Sequence, residues 1–118
     1  MNRNLSRLAA AAALATALVV IPALPASAGS ATYPCNNNGT VVASITGTHY
    51  VNAYARTITN WGNCYQVGAR VQFRLQPGGA LQWSPFAYSS VSAYSPNYPY
   101  TYRGGHWGGI GAPYFETV

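Results

Sequence analysis

The stretch Cys64-Tyr65-Gln66-Val67-Gly68-Ala69-Arg70-Val71-Gln72-Phe73-Arg74-Leu75 decides how this chain folds. From Tyr65 onward the odd positions are Tyr65, Val67, Ala69, Val71, Phe73 and Leu75. The even positions are Gln66, Gly68, Arg70, Gln72 and Arg74. A period of two sends alternate side chains to opposite faces of a strand, so the odd set is expected in a core and the even set in water. Cys64 shares the parity of the polar set, and a regular strand would aim its sulfur outward. Either a bridge on the outer face or edge, or a bulge over residues 64–66, resolves this. The expectation is an edge bridge that clips the N-terminal lead-in to the strand.

Turn chemistry brackets this strand. Asn60-Trp61-Gly62-Asn63 reads as a hairpin turn, because Asn and Gly accept positive φ at low cost. Pro77-Gly78-Gly79 has the Pro-then-Gly order of a type II turn. Working outward, earlier strands are expected over Thr40–Thr46 and His49–Thr59, with Gly47 as punctuation between them. Later strands are expected over Ala80–Ser84, over Phe86–Tyr94 with a break near Ser89-Ser90, and over Pro113–Val118. Gly29–Gly39 reads as an irregular lead-in, with Asn38-Gly39-Thr40 taken as a turn rather than a glycosylation site. Ser95–Tyr102, with Pro96 and Pro99, reads as an extended loop, and Gly104–Gly111 as too glycine-rich for a regular element. No helix is expected after residue 28. Five or six short strands predict an all-β fold, a small antiparallel sandwich or open barrel.

Residues 1–28 stand apart. Arg3 and Arg7 precede an uncharged Ala-rich run of 14 residues, Leu8–Ile21, followed by Pro22, Pro25 and the small-residue site Ala26-Ser27-Ala28. That is the layout of a secretory signal peptide, shorter than the ~20 apolar residues of a spanning helix. A lone helix over Leu5–Leu24 is expected in the precursor. Residues 29–118 then form a single secreted domain with no membrane span. Export exposes Cys35 and Cys64, the only cysteines, to an oxidising compartment, where they form one disulfide.

Charge is scarce after residue 28: Arg56, Arg70, Arg74 and Arg103 against Glu116 alone, a net charge of +3, with neither Asp nor Lys. Two-carboxylate hydrolysis lacks its second acid, and a Ser-His-Asp triad lacks its Asp. A metal set could draw only on His49, His106 and Glu116, whose spacing matches no motif, so both histidines are expected at the surface or in loops. No catalytic residue, metal or cofactor is expected.

Two surfaces remain as binding candidates. Arg70 and Arg74 on the even face, with Arg56 beside them, form the one expected cationic patch. It suits an anionic wall polymer. Three or four arginines are too few for nucleic acid, where strong binders make about 6–10 phosphate contacts. The other candidate is the set Tyr94, Tyr98, Tyr100, Tyr102 and Trp107, rings set among Pro and Gly. They either cover the open end of a small core short of long aliphatics or offer a surface that a neutral glycan or a protein could stack on.

Cys64-x-x-Val67-x-Ala69-Arg70-Val71-Gln72-Phe73-Arg74, with Trp83-Ser84-Pro85 and Gly104-Gly105-His106-Trp107-Gly108, resembles small secreted proteins of actinomycete-type bacteria. That resemblance implies a fold type and an extracellular location, and it carries over no functional residues. The lactococcin 972-type bacteriocins share a Gly-x-Trp element but neither the cysteines nor the alternating strand. The expected function is a non-catalytic secreted module that binds extracellular or envelope material through its aromatics. The alternatives are a small cationic bacteriocin-like antagonist and a self-associating surface or matrix protein.

Overall fold

A computed structural model of the chain describes residues 26–109 and 111–118. The expected signal helix over Leu5–Leu24 therefore lies outside the described residues. Within them the fold is all-β, and every strand pairing is antiparallel. Nine strands form two sheets: β1 (Ser27–Asn37), β2 (Thr40–Tyr50), β3 (Ala55–Gly62) and β7 (Ser92–Tyr94) in sheet A; β5 (Gln82–Trp83), β4 (Val67–Arg74), β8 (Tyr100–Gly108) and β9 (Phe115–Thr117) in sheet B, where β6 (Ala87–Ser89) also pairs with β4. Sheet A packs over sheet B, with β2 and β3 against β8 and β4.

The organising strand is β4. Val67, Ala69, Val71 and Phe73 are buried, while Arg70, Gln72 and Arg74 point outward and are half-exposed. Its ends are shorter than the alternation implies. Tyr65 and Leu75 lie beyond the strand and are 64% and 66% exposed. The disulfide Cys35–Cys64 is formed and clips the edge strand β1 to the start of β4, but it does not face outward: both residues are fully buried in the core beside Ile45, Val67 and Phe115. The bulge alternative explains the parity. Tyr65 has φ +66°, its N–H donates to Asn63 Oδ1, and Gln66 N–H donates back to the Cys64 carbonyl, so this tight turn faces both Cys64 and Val67 inward.

Four further expectations change. Residues 27–37 form β1 rather than an irregular lead-in, pairing with β2 through a bulge at Cys35/Asn36. The first strand does not stop at Gly47. It runs on to Tyr50, because the missing side chain of Gly47 leaves room for the His106 ring, which a Cβ there would approach to 2.3 Å. The second strand begins at Ala55, since residues 50–54 turn back with Asn52 at φ +51°. Asn60, Trp61 and Gly62 belong to its end, and the turn lies after them.

The expected loop over Ser95–Tyr102 and the glycine-rich segment instead contain β8. It is central in sheet B, hydrogen-bonded between β4 and β9. The break at Ser89-Ser90 marks a change of sheet: β6 pairs with β4 in sheet B and β7 with β3 in sheet A. Ser89 Oγ accepts from Val91 N and Ser92 N at that corner.

Two Ser-Pro latches close the sheets. Val71 N donates to Ser84 Oγ and Ser84 N donates to the Val71 carbonyl. Ala55 and Ser95 make the same reciprocal pair on sheet A, and each serine hydroxyl donates to the carbonyl of the following proline. Proline cannot continue a ladder, and the serine hydroxyl supplies the acceptor for one further N–H just before it.

Candidate functional site

Three arginines project from the outer face of sheet B, and aromatic rings surround one of them. Arg70 Cζ lies 4.2 Å from the Trp83 ring centre, 4.8 Å from Phe86 and 5.1 Å from Tyr114. Such contacts are worth about 0.5–2 kcal/mol each, depending on desolvation. Tyr88 stacks near Phe86 at 5.7 Å and meets Trp107 edge-on at 5.8 Å. Rings from β5, β6, β8 and the segments before β6 and β9 thus converge over β4.

Two strand glycines permit this. A Cβ on Gly68 would come within 2.9 Å of Tyr88 and 3.2 Å of Phe86. A Cβ on Gly105 would come within 2.6 Å of the Tyr114 hydroxyl and 2.9 Å of Arg70 Cγ. The rings and the Arg70 stem therefore lie down on bare backbone, the close approach that strand glycines commonly mark.

A polar relay fixes the far side. Arg70 Nη2 donates to Tyr114 Oη (2.8 Å), Tyr114 donates to Glu116 Oε2 (2.9 Å), and Arg103 Nη1 donates to Glu116 Oε1 (2.9 Å). The hydrogen bond from Arg103 is the main cause that holds the Glu116 carboxyl below its ordinary range, against a smaller opposing desolvation. Desolvation first of all pushes the Tyr114 phenol up. The relay ties Arg70 and Arg103 to Glu116 and holds the Tyr114 ring in place.

The expected aromatic set does not form one surface. Trp107 belongs to this platform. Tyr98 stacks flat on Phe73 at 3.5 Å and closes the lower core. Tyr94 sits on the outer face of sheet A, opposite Arg56. Tyr100 pairs with Arg74 at the end of β4, and Tyr102 is the extra residue of a bulge, with Arg103 over its ring at 4.9 Å. The expected cationic patch also divides. Arg70 and Arg74 share sheet B with Arg103, whereas Arg56 lies on sheet A and faces the opposite way. Trp83, Phe86, Tyr88 and Tyr114 went unselected by sequence pattern; the signal for them was Gly68 at an outward position of a strand.

Neither histidine is at the surface. His106 is fully buried between the sheets, and His49 is 2% exposed. They form no metal site: no group of three ligating side chains occurs among the described residues. His106 instead joins the two sheets. Thr57 Oγ1 donates to the Gly68 carbonyl (2.7 Å), so it accepts from His106 Nδ1–H (2.8 Å). Nε2 then accepts from Thr117 Oγ1 (2.7 Å). Desolvation lowers the His106 pKa to about 4, with a smaller push from His49. Among the described residues no enclosed cavity is present.

Compared with protein-family models, with curated proteins and with solved structures, the chain matches none.

Proposed function

We propose that this chain is a secreted, non-catalytic module that holds glycan of an extracellular or envelope polymer against the outer face of sheet B. The observation that carries this reading is the convergence of Trp83, Phe86, Tyr88, Trp107 and Tyr114 around Arg70 on one open face. Sugar rings present C–H faces that stack on aromatic rings and hydroxyls that pair with neighbouring polar groups. The platform offers both, with Gln72 and Arg103 paired across β4 and β8 beside it. Its Arg70 and Tyr114 are held by the relay through Glu116, which reduces the ordering cost of binding. The buried disulfide agrees with folding in an oxidising compartment.

The test is retention on purified peptidoglycan, chitin and cellulose. Wild-type protein is expected to bind at least one, and Trp107→Ala with Tyr88→Ala is expected to weaken that binding roughly 30-fold, the ~2 kcal/mol of a hot-spot contact. No retention of wild type on any of the three, or equal retention of the double variant, overturns the reading.

A further inference from the structure

The outer face of sheet A repeats the construction of sheet B with one difference. On each sheet an aromatic-Ser-Pro segment is latched to a strand next to an arginine: Trp83-Ser84-Pro85 beside Arg70, and Tyr94-Ser95-Pro96 beside Arg56. Around Arg56 the rings are tyrosines. Tyr50 and Tyr54 lie 4.8 Å apart, Tyr54 and Tyr94 5.8 Å apart, and Arg56 Cζ is 5.3 Å from the Tyr50 ring centre. The difference is in the acceptors. Arg70 donates to Tyr114, and Arg103 to Glu116, but the Arg56 side chain makes no hydrogen bond or ion pair among the described residues. Its Nε is buried without a partner, as are those of Arg70, Arg74 and Arg103. What sets Arg56 apart from Arg70 and Arg103 is that its terminal nitrogens have no acceptor among the described residues. The chain cannot supply a carboxylate side chain there, because its single acidic residue, Glu116, is held by Arg103 on the other sheet.

We infer that Arg56, with Tyr50, Tyr54 and Tyr94, is a second binding site that takes a carboxylate or phosphate group of an anionic extracellular polymer. Guanidinium is the side chain best suited to planar, two-pronged pairing with such groups. The three phenols add hydroxyls and stacking surface around it. The absence of an enclosing cavity fits a group presented along a chain rather than a small molecule engulfed by the protein. Arg74 provides the comparison, since it carries the same charge on the other sheet but no aromatic ring lies over it.

The experiment measures binding of full-length mature protein to immobilised polygalacturonate, for carboxylate, and to poly(glycerol phosphate), for phosphate. Arg56→Gln is expected to weaken binding to at least one of them about 10–100-fold, the range of a charge-assisted hydrogen-bonded contact. Arg74→Gln is expected to change it less than ~3-fold, the effect of a mere unit of net charge at physiological salt. Tyr94→Ala, at a residue 51% exposed, is a second variant that leaves the core untouched and is expected to weaken binding too. Which polymer responds assigns carboxylate or phosphate. Equal losses in Arg56→Gln and Arg74→Gln would reduce the site to general charge and overturn the proposal, as would wild-type protein that binds neither polymer. Trp107→Ala is expected to leave the affinity for poly(glycerol phosphate), which has no sugar ring to stack on the sheet B platform, unchanged, so failure of that platform and failure of this site are told apart.

Discussion

His106 is the residue on which the sandwich closes. Its ring lies against Gly47 of one sheet, stacks near Phe115 of the other at 5.0 Å, and exchanges hydrogen bonds with Thr57 and Thr117. A neutral imidazole satisfies every partner in that chain. Protonation would put a second N–H at Nε2, facing a threonine oxygen, and a charge in a fully buried site. The unfolded chain takes up this proton near pH 6.5 and the folded chain at about 4. Between those values the unfolded state binds more protons, so stability is complete above pH 6.5 and is lost as pH falls toward 4. His49, also lowered chiefly by burial, acts in the same direction. The loss at His106 is expected to reach about 3 kcal/mol. Urea midpoints at pH 7.5 and pH 4.5 measure it, and His106→Gln is expected to be less stable at neutral pH with a shallower dependence. A wild-type midpoint that does not move between those two pH values would contradict the account. Nothing in the sequence marks this histidine as buried, because its neighbours are Gly105 and Trp107 rather than the aliphatic residues that announce a core.

At the level of elements, legibility follows side-chain contrast. β4 was readable because Val67, Ala69, Val71 and Phe73 alternate with Gly68, Arg70, Gln72 and Arg74, and each face meets a different environment. β8 was not. Gly104 and Gly108 remove the apolar half of its alternation and Gly105 lies on the outer face, so its place is fixed by the partners that lie on those glycines. β1 was hidden for another reason. It is an edge strand whose Ser, Thr and Pro residues are largely exposed, so no apolar period is needed. The candidate site shared both problems, since the platform residues come from five short segments that only the topology brings together.

The disulfide was expected from composition, but its burial depended on the turn at Tyr65, which an alternation cannot register. Cys35 and Cys64 join β1 to the start of β4 across a sequence separation of 29 residues. Closing a loop of that size restricts the unfolded chain by about 3–4 kcal/mol. Cys35→Ala with Cys64→Ala is therefore expected to lower Tm by roughly 15–25 °C for a domain of this size. Calorimetry of the double variant checks this, and a fall of under ~5 °C would show that the bridge contributes little to stability.

For the whole molecule, the arrangement of the two sites matters more than either alone. Arg70 with its rings and Arg56 with its tyrosines lie on the outer faces of sheets that pack back to back, and sheets so stacked are ~10 Å apart. A ligand on one face cannot block the other. With both proposed sites occupied, one domain would hold glycan on one side and an anionic polymer on the other, and the second contact would become effectively intramolecular once the first is made. The gain depends on geometry. In intact cell wall, where both polymers surround the protein, wild type is expected to bind ~100-fold or more tightly than to either polymer alone. Arg56→Gln and Trp107→Ala are each expected to remove that excess. On a flat surface coated with both polymers the excess is expected to vanish, because opposed faces cannot reach one plane together. Sedimentation binding to intact wall, beside sensor binding to the coated surface, makes the comparison. Equal affinity for intact wall and for the better single polymer would show that the two faces do not act together.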